Sequence, residues 1–206
     1  MQITIIYIHG FRSDAASTKP KKIAKLLPDY KIIAPSFSPN PTEVIEQLRQ
    51  LLQSTTGSTY LMGTSLGGFY AMYAALQTGL KAFCINPSLR SHETLKDEVG
   101  EYKTYNLELD YHFKAAYIQQ LEQMHSQLWE ALSTSSFKSS LHVYFNEDDD
   151  VIPHSLFEKY KPYFPVIYYP KGGHRATNIN AIIQDLQPHL NYNHYGDEEG
   201  YIYLPL

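Results

Sequence analysis

Cysteine is almost absent from this sequence. Cys84 is the only one among 206 residues, so no internal disulfide can form. It lies in the apolar run Ala82–Ile85, where a thiol is far more often a buried strand residue than a nucleophile. Because a chain without disulfides suits a reducing compartment, we expect a cytoplasmic protein.

Long hydrophobic runs are also missing. No apolar stretch approaches roughly 18 residues, the length that a membrane-spanning helix requires, so we expect no membrane span. The first apolar run, residues 3–8, is interrupted by Thr4 and Tyr7 and ends in His9-Gly10. We therefore interpret it as a strand and not as a signal peptide.

Positive charge is scarce as well. There are 17 basic residues against 21 acidic ones, which gives a net charge of −4. A protein that follows a phosphate backbone needs an excess of basic residues, so we expect no nucleic-acid partner. The lysine-rich stretch at residues 19–25 is most simply the solvated face of a helix.

Short apolar runs alternate with helical patterns along most of the chain. The apolar runs lie at residues 3–8, 31–34, 59–62, 82–85, 141–145 and 166–169. Between them, apolar periodicity predicts helices near residues 17–27, 41–53 and 65–77, and a last helix that begins near Asn178. This alternation is typical of a parallel sheet between two helical layers. The predicted fold class is α/β, with about six mostly parallel strands and helices on both faces.

The connection between residues 85 and 141 is longer than a single crossover helix needs. Its first part, residues 86–110, is rich in turn residues and tyrosine, and its second part, residues 114–132, has a helical pattern. We interpret residues 86–135 as a small cap-like insertion within a single domain, residues 1–188. Residues 189–206 form a predicted C-terminal extension, which is a candidate for holding a homo-oligomer together.

The segment Gly63-Thr64-Ser65-Leu66-Gly67 lies between a predicted strand and a predicted helix. That is the setting of a nucleophile elbow, in which Ser65 occupies the apex with a positive φ and the flanking glycines supply space. The N–H of Leu66 would then lie at a helix N-terminus, where it favours a developing negative charge. A tight helix-entry turn without chemistry is the alternative interpretation.

The segment His9-Gly10-Phe11 follows the first predicted strand. Gly10 allows the loop to fold over the serine, and the N–H of Phe11 is the candidate for the second oxyanion donor. His9 precedes the serine, whereas hydrolases with a nucleophile elbow have the order serine, acid, histidine. We therefore interpret His9 as a structural loop histidine.

An acidic loop follows the fifth predicted strand. A carboxylate there can accept a hydrogen bond from a histidine Nδ1–H and fix its tautomer. Hydrolases of this kind often carry the pattern G-x-x-D-x-V-x-P here, and residues 146–153 fit it with Asn146 in place of glycine and Asp149 as the acid. Asp148 and Asp150 remain possible. A metal loop is disfavoured because this segment lacks the turn glycine of oxygen-ligand sites, so we expect no metal.

The last predicted strand is followed by Gly172-Gly173-His174. Paired glycines permit a close backbone approach, and the carboxyl ends of parallel strands meet at one edge of a sheet. His174 should therefore reach the same edge as Ser65. We predict that it is the general base that takes the Ser65 proton and returns it to the leaving group.

Three segments together resemble the YqiA/YcfP group of small α/β-hydrolase esterases, over roughly residues 3–188. They are Tyr7-Ile8-His9-Gly10-Phe11-Arg12-Ser13, Gly63-Thr64-Ser65-Leu66-Gly67-Gly68-Phe69-Tyr70-Ala71 and Asn86-Pro87-Ser88-Leu89-Arg90. The resemblance implies a compact α/β-hydrolase that needs no cofactor and acts on carboxylic esters or acyl thioesters. It also matches Ser65, Asp149 and His174 to the catalytic triad.

The predicted function is that of a serine carboxylesterase. Ser65 attacks a small or medium acyl ester and His174 transfers the proton. Asp149 orients His174, while the N–H groups of Phe11 and Leu66 hold the oxyanion. The expected partner is this small-molecule substrate. Two alternatives remain open, an acyl thioesterase and a hydrolase-fold binding protein without turnover.

Overall fold

The computed structural model describes residues 3–134, 140–152, 155, 158 and 160–190. Its strands in chain order are β1 (Thr4–Ile8), β2 (Lys31–Ile33), β3 (Thr59–Thr64), β4 (Ala82–Ile85), β5 (Gly100–Lys103), β6 (Asp110–Phe113), β7 (Leu141–Asn146) and β8 (Val166–Tyr169). Its helices are α1 (Thr18–Leu26), α2 (Pro41–Ser54), α3 (Leu66–Thr78), α4 (Ser91–Thr94), α5 (Ala115–Thr134) and α6 (Ile179–Leu190), with a 3₁₀ turn at Lys96–Glu98.

Six strands form one sheet in the order β2-β1-β3-β4-β7-β8. All neighbouring strands in this sheet run parallel. The predicted α/β class with about six mostly parallel strands is therefore confirmed. Because parallel strands end at the same edge, the loops that follow β1, β3, β4, β7 and β8 meet there.

Helices cover both faces of the sheet, as predicted. Successive residues of a strand point to opposite faces. On β1, Ile6 and Ile8 belong to an apolar cluster with residues of α2, α3 and α5, whereas Ile5 and Tyr7 belong to one with residues of α1 and α6. All five residues of β1 are buried, which explains why its sequence is mostly apolar and shows no alternation of apolar and polar residues.

Several elements end later than the sequence predicts. Strand β3 continues to Thr64, which pairs with Ile85, and β7 continues to Asn146, which pairs with Tyr169. Helix α6 extends past Pro188 to Leu190, so the predicted domain boundary after residue 188 falls inside a helix. Residue 135, the predicted end of the insertion, and residues 191–206 of the predicted extension lie outside the described residues.

The predicted insertion contains a small antiparallel sheet that its sequence pattern does not indicate. Strands β5 and β6 pair with Tyr102 opposite Tyr111, and we call residues 100–113 the hairpin. Tyr111 and Phe113 are buried while Asp110 and His112 are exposed. Strands of four residues leave only two positions on each face, too few for the alternation to stand out in a turn-rich sequence.

Helix α5, which forms the second half of the predicted insertion, packs against helices of the large sheet. Its predicted apolar stripe includes Leu121, Leu128 and Leu132, each at most 2% exposed. These side chains share one apolar cluster with residues of α2 and α3. Helix α5 is therefore part of the layer that covers this face of the sheet. Among the described residues, no helix has the length and apolar character needed to cross a bilayer.

His142 on β7 is a histidine that the fold keeps neutral. Its ring stacks on Phe83 at 5.1 Å and lies 4.4 Å from the ring of His189. Its Nε2 atom is buried without a hydrogen-bond partner among the described residues. Burial, followed by the nearby His189 and Lys81, lowers the pKa of His142 to about 4.

We expect the protein to lose stability as the pH falls from about 6.5 towards 4. The unfolded chain protonates His142 at its ordinary pKa, whereas the folded chain resists protonation, so the unfolded state binds more protons in this window. His142→Gln should reduce the loss between pH 7 and pH 5 by about 1 kcal/mol, because the partly exposed ring is screened by solvent. Urea unfolding at both pH values measures this change in the free energy of unfolding. The control is His112→Gln, which replaces an exposed histidine. An unchanged loss in His142→Gln would show that His142 is not responsible.

Candidate active site

Ser65 lies at a sharp turn between β3 and α3. Its backbone has φ 58° and ψ −123°, a conformation that is costly for a residue with a side chain. Three backbone hydrogen bonds hold the turn. The Ser65 N–H donates to the Ile85 carbonyl at 3.0 Å, and the Ser65 carbonyl accepts from the N–H groups of Ser88 at 3.0 Å and Phe69 at 3.1 Å.

Two glycines beside Ser65 allow α3 to lie against the sheet. A Cβ atom on Gly67 would lie 2.1 Å from the carbonyl oxygen of Ile8, and one on Gly63 would lie 2.1 Å from the carbonyl oxygen of Gly67. Both obstacles are backbone atoms, so no side-chain movement would relieve the contact. Close packing of the helix on β1 therefore requires glycine at position 67.

The structure brings Ser65, His174 and Asp149 together, and we call them the Ser–His–Asp group. His174 Nε2 lies 3.0 Å from Ser65 Oγ, and His174 Nδ1 lies 2.9 Å from Asp149 Oδ2. An ionised carboxylate can only accept hydrogen bonds, so Nδ1 carries the proton. Nε2 then presents its lone pair to the Ser65 hydroxyl.

Of the three candidate aspartates, Asp149 is the one bonded to His174. Its side chain is fully buried, and its Oδ1 atom also accepts from the N–H groups of Val151 and Ile152 at 2.8 Å each. Asp148 instead accepts from the N–H of Gly173 at 2.7 Å, a bond that lowers the pKa of Asp148. Asp150 is exposed. Pro153, part of the pattern that selected Asp149, lies outside the described residues.

Two buried asparagines hold the loop that carries His174. Asn86 Nδ2 donates to the carbonyls of Gly173 at 3.0 Å and His174 at 3.2 Å, and Asn146 Nδ2 donates to the Gly173 carbonyl at 2.9 Å. The two are joined because the Asn146 N–H donates to Asn86 Oδ1 at 2.8 Å. Both are fully buried.

The sequence pattern does not predict this role. In the sequence, Asn146 stands out only as a departure from an expected glycine, and Asn86 only as a member of the segment Asn86–Arg90. A polar residue directly after a strand, at the edge that also carries the serine, was the available signal. Arg90, in contrast, forms a partly exposed ion pair with Glu93.

Two backbone N–H groups near Ser65 are available as donors. Leu66 is the first residue of α3, and Gly10, just before Phe11, lies against Ser65, with an added Cβ only 3.4 Å from Ser65 Cβ. Within the described part of the chain, the N–H groups of Phe11 and Leu66 donate to no acceptor. Helix α3 also directs the positive end of its dipole at this point.

His9 lies outside the Ser–His–Asp group. Its Nε2 atom accepts from the N–H of Phe37 at 2.9 Å, and its Nδ1 atom bonds the Gly10 carbonyl at 2.9 Å. Burial lowers the pKa of His9, which keeps the ring neutral and able to accept from Phe37. His9 therefore supports the loop, which is the structural role expected from its position before the serine.

The arrangement can activate a hydroxyl group. A serine hydroxyl that donates to a neutral imidazole, which a carboxylate orients from its other side, can lose its proton as it attacks an electrophilic carbon. In the described ranges, no cluster of three or more histidine, cysteine or acidic side chains has the geometry to hold a metal ion.

Solved structures from several organisms have a similar fold. Est1E from Butyrivibrio proteoclasticus is 10% identical with a TM-score of 0.68, and the match covers 92% of this chain and 88% of Est1E. Mouse α/β hydrolase domain-containing protein 10 is 16% identical with a TM-score of 0.67, covering 91% and 90%. A monoacylglycerol lipase of Paleococcus ferrophilus is 10% identical with a TM-score of 0.69, covering 90% and 94%. The chain therefore has the α/β-hydrolase fold.

Sequence comparison gives a narrower relationship. A UPF0227 protein of Shewanella loihica is 28% identical over 108 residues, which cover 49% of this chain and 59% of that relative. The chain thus spans less than two thirds of the curated relative that it matches. Residues 4–190 match the family described as uncharacterised protein family UPF0227, in agreement with the resemblance to the YqiA/YcfP group, and the chain belongs to that family.

Proposed function

We propose that this protein is a serine carboxylesterase that hydrolyses small or medium acyl esters through an acyl-enzyme. The observation that carries the proposal is the continuous hydrogen bonding of the Ser–His–Asp group, 3.0 Å from Ser65 Oγ to His174 Nε2 and 2.9 Å from His174 Nδ1 to Asp149 Oδ2. The distances suit proton transfer, and the residues occur in the order typical of α/β-hydrolases.

In the first half of the reaction, Ser65 Oγ attacks the ester carbonyl carbon and His174 Nε2 takes its proton. The resulting oxyanion accepts hydrogen bonds from the N–H groups of Phe11 and Leu66, and the dipole of α3 stabilises it further. His174 then returns the proton to the leaving alcohol, and the acyl group remains on Ser65. Asp149 stays ionised and stabilises the imidazolium that forms on His174.

In the second half, His174 removes a proton from water, and the water oxygen attacks the acyl carbon. The oxyanion occupies the same position, and as it collapses the bond from the acyl carbon to Ser65 Oγ breaks, His174 Nε2 gives its proton to Ser65 Oγ, and the carboxylic acid leaves. Solved structures with this fold include a monoacylglycerol lipase and Est1E with bound ferulic acid. They support a small-molecule substrate. The scarcity of cysteine also leads us to propose a cytoplasmic location.

A fluorophosphonate probe tests the proposal directly, because it reacts with a serine that a neighbouring histidine activates. We expect one labelled peptide, containing Ser65, and no label on Ser88, whose N–H bonds the Ser65 carbonyl. Heat-denatured protein is the control and should remain unlabelled. Absence of label on the folded protein would contradict the proposal and favour a binding protein without turnover. Comparing kcat/KM for p-nitrophenyl butyrate and butyryl-CoA decides between ester and thioester as the preferred substrate.

A further inference from the structure

Asp14 is a buried carboxylate that the proposed mechanism does not use. It lies in the loop between β1 and α1, three residues after Phe11, and is 1% exposed. A charge removed from water is costly unless it is hydrogen-bonded. The partners of Asp14 therefore indicate its role.

Four N–H groups donate to the Asp14 carboxylate. Oδ1 accepts from the backbone N–H of Ala16 at 2.9 Å and from Asn106 Nδ2 at 3.2 Å, and Oδ2 accepts from the backbone N–H groups of Asn106 and Leu107 at 3.0 Å each. Burial by itself would raise the pKa of Asp14. The hydrogen bonds, first those from Leu107 and Asn106, outweigh it and hold the pKa at about 2.

Three of these four donors come from the turn of the hairpin, about ninety residues further along the chain. The Asp14 carboxylate therefore ties the loop after β1 to the hairpin. It remains ionised at any pH at which an esterase would be assayed, so protonation does not break these hydrogen bonds under those conditions.

The hairpin also holds Phe11 itself. The Phe11 ring packs edge-on against three aromatic rings of the hairpin, with centroid distances of 6.1 Å to Tyr102, 5.3 Å to Tyr111 and 5.1 Å to Phe113. Edge-to-face contacts of this kind fix the orientation of a ring as well as its position. The hairpin thus constrains the residue whose N–H is the proposed oxyanion donor.

Arg12 extends the same contact. Its guanidinium carbon lies 4.3 Å from the ring centroid of Tyr102 and 4.9 Å from that of Tyr105, and its carbonyl accepts from the Tyr105 N–H at 3.0 Å. Its backbone φ is +56°, within a turn that the Ser13 N–H closes on the Gly10 carbonyl at 3.1 Å. A positive φ at a residue with a side chain persists only when surrounding contacts impose it.

We propose that Asp14 is a positioning residue. By tying the loop after β1 to the hairpin, it fixes the N–H of Phe11 where that group can donate to the oxyanion. The inference rests on the proposed function, since it concerns the stabilisation of the oxyanion formed by attack of Ser65. Asp14 contacts neither Ser65 nor His174 through any hydrogen bond of the described structure, and it acts through Phe11.

Asp14→Asn tests this proposal because it keeps the shape of the side chain. An amide has one acceptor oxygen and one NH₂ group, so the NH₂ would face N–H donors wherever it is placed, and part of the tie is lost. The matched control is Asp110→Asn, on the same hairpin, where an exposed carboxylate pairs with Lys103.

We expect Asp14→Asn to lower kcat for p-nitrophenyl butyrate by about 10- to 100-fold with little change in KM. A complete loss of one oxyanion donor costs about 100- to 1,000-fold, and here the donor is displaced and not removed. The second substrate is p-nitrophenyl thionobutyrate, whose sulfur accepts hydrogen bonds poorly and gains little from aligned N–H donors. The ratio of the oxoester rate to the thionoester rate should fall in Asp14→Asn and stay at the parent value in Asp110→Asn.

The rate ratio separates positioning from simple loss of folded protein, because unfolding lowers both rates equally. An unchanged ratio in a folded Asp14→Asn protein would overturn the proposal. If that variant does not fold, Asn106→Ala removes only the side-chain donor to Oδ1 and should lower the ratio by about 2- to 5-fold, and an unchanged ratio there overturns the proposal equally. Failure of the proposed function can be distinguished from failure of the Asp14 proposal. Hydrolysis at the parent rate by Ser65→Ala would contradict the proposed function, independently of the result for Asp14→Asn.

Discussion

Replacement of Ser65 by alanine should lower kcat for p-nitrophenyl butyrate by up to about a millionfold. The variant loses the atom that attacks the ester, and His174 and Asp149 then have no nucleophile to activate. Residual catalysis above the rate in water, of about 1,000-fold, would come from binding and the oxyanion donors. Steady-state kinetics on protein free of contaminating esterase, with unfolding by urea to show an intact fold, measures the change.

Ser88→Ala is the matched control for this experiment. Ser88 is 4% exposed, and its backbone N–H bonds the Ser65 carbonyl, but its hydroxyl is directed to Thr94 at 3.4 Å and not to His174. We expect its kcat to stay within about threefold of the parent, because the backbone contact is unchanged. Comparable losses in Ser65→Ala and Ser88→Ala would indicate that the fold and not the nucleophile had been damaged.

Asp149→Asn belongs to the same series and should lower kcat by about 10,000-fold. The amide NH₂ cannot accept from Nδ1–H, so His174 is driven to the tautomer that presents a proton to Ser65 in place of a lone pair. Asp150→Asn, an exposed neighbour, should change kcat little. A larger loss of kcat in Asp150→Asn than in Asp149→Asn would show that Asp149 is not the acid.

Gly67→Ala should lower the free energy of unfolding strongly. The added Cβ would lie 2.1 Å from the Ile8 carbonyl oxygen and 2.5 Å from that of His9, so α3 must move away from β1. Overpacking costs about 1 to 3 kcal/mol, and a clash with backbone atoms places this substitution at the upper end, a large part of the stability of an ordinary domain. We expect a lower urea midpoint and a smaller soluble fraction.

Gly79→Ala is the control for the stability experiment. Gly79 follows α3 with φ +70°, and an added Cβ there meets no atom within 4 Å. The substitution introduces strain in the left-handed region without a clash, and it should cost about 1 kcal/mol. Equal losses of unfolding free energy in Gly67→Ala and Gly79→Ala would mean that the close contact between α3 and β1 does not require glycine at position 67.

The layered fold could be predicted from the sequence because its signals are local. Each buried strand is a short apolar run, and the start of α2 is marked by Asn40, whose side chain accepts from the Thr42 N–H as an N-cap. Ser65 and His174 were likewise marked by glycines within a few residues. Such signals need no knowledge of the rest of the chain.

What could not be predicted depends on partners far along the chain. Asp14 is one acidic residue among many until Asn106 and Leu107 are seen to donate to it, and Asn86 is a turn residue until its amide is seen against Gly173. The hairpin could not be predicted for a related reason, because its four-residue strands show too little alternation, and its aromatic rings meet Phe11, far earlier in the chain, only in the folded protein. Residues that position a site are therefore harder to find than those that act in it.

The Ser–His–Asp group can be completed only after most of the chain has been synthesised. Ser65 and His174 are 109 residues apart, and the loop of His174 follows the last strand of the sheet. While the chain is being synthesised, the serine turn can form long before its histidine exists, so an incomplete chain has an ordinary, unreactive hydroxyl. Reactivity of Ser65 towards a fluorophosphonate during refolding should therefore appear only once the loop after β8 has brought His174 to Ser65.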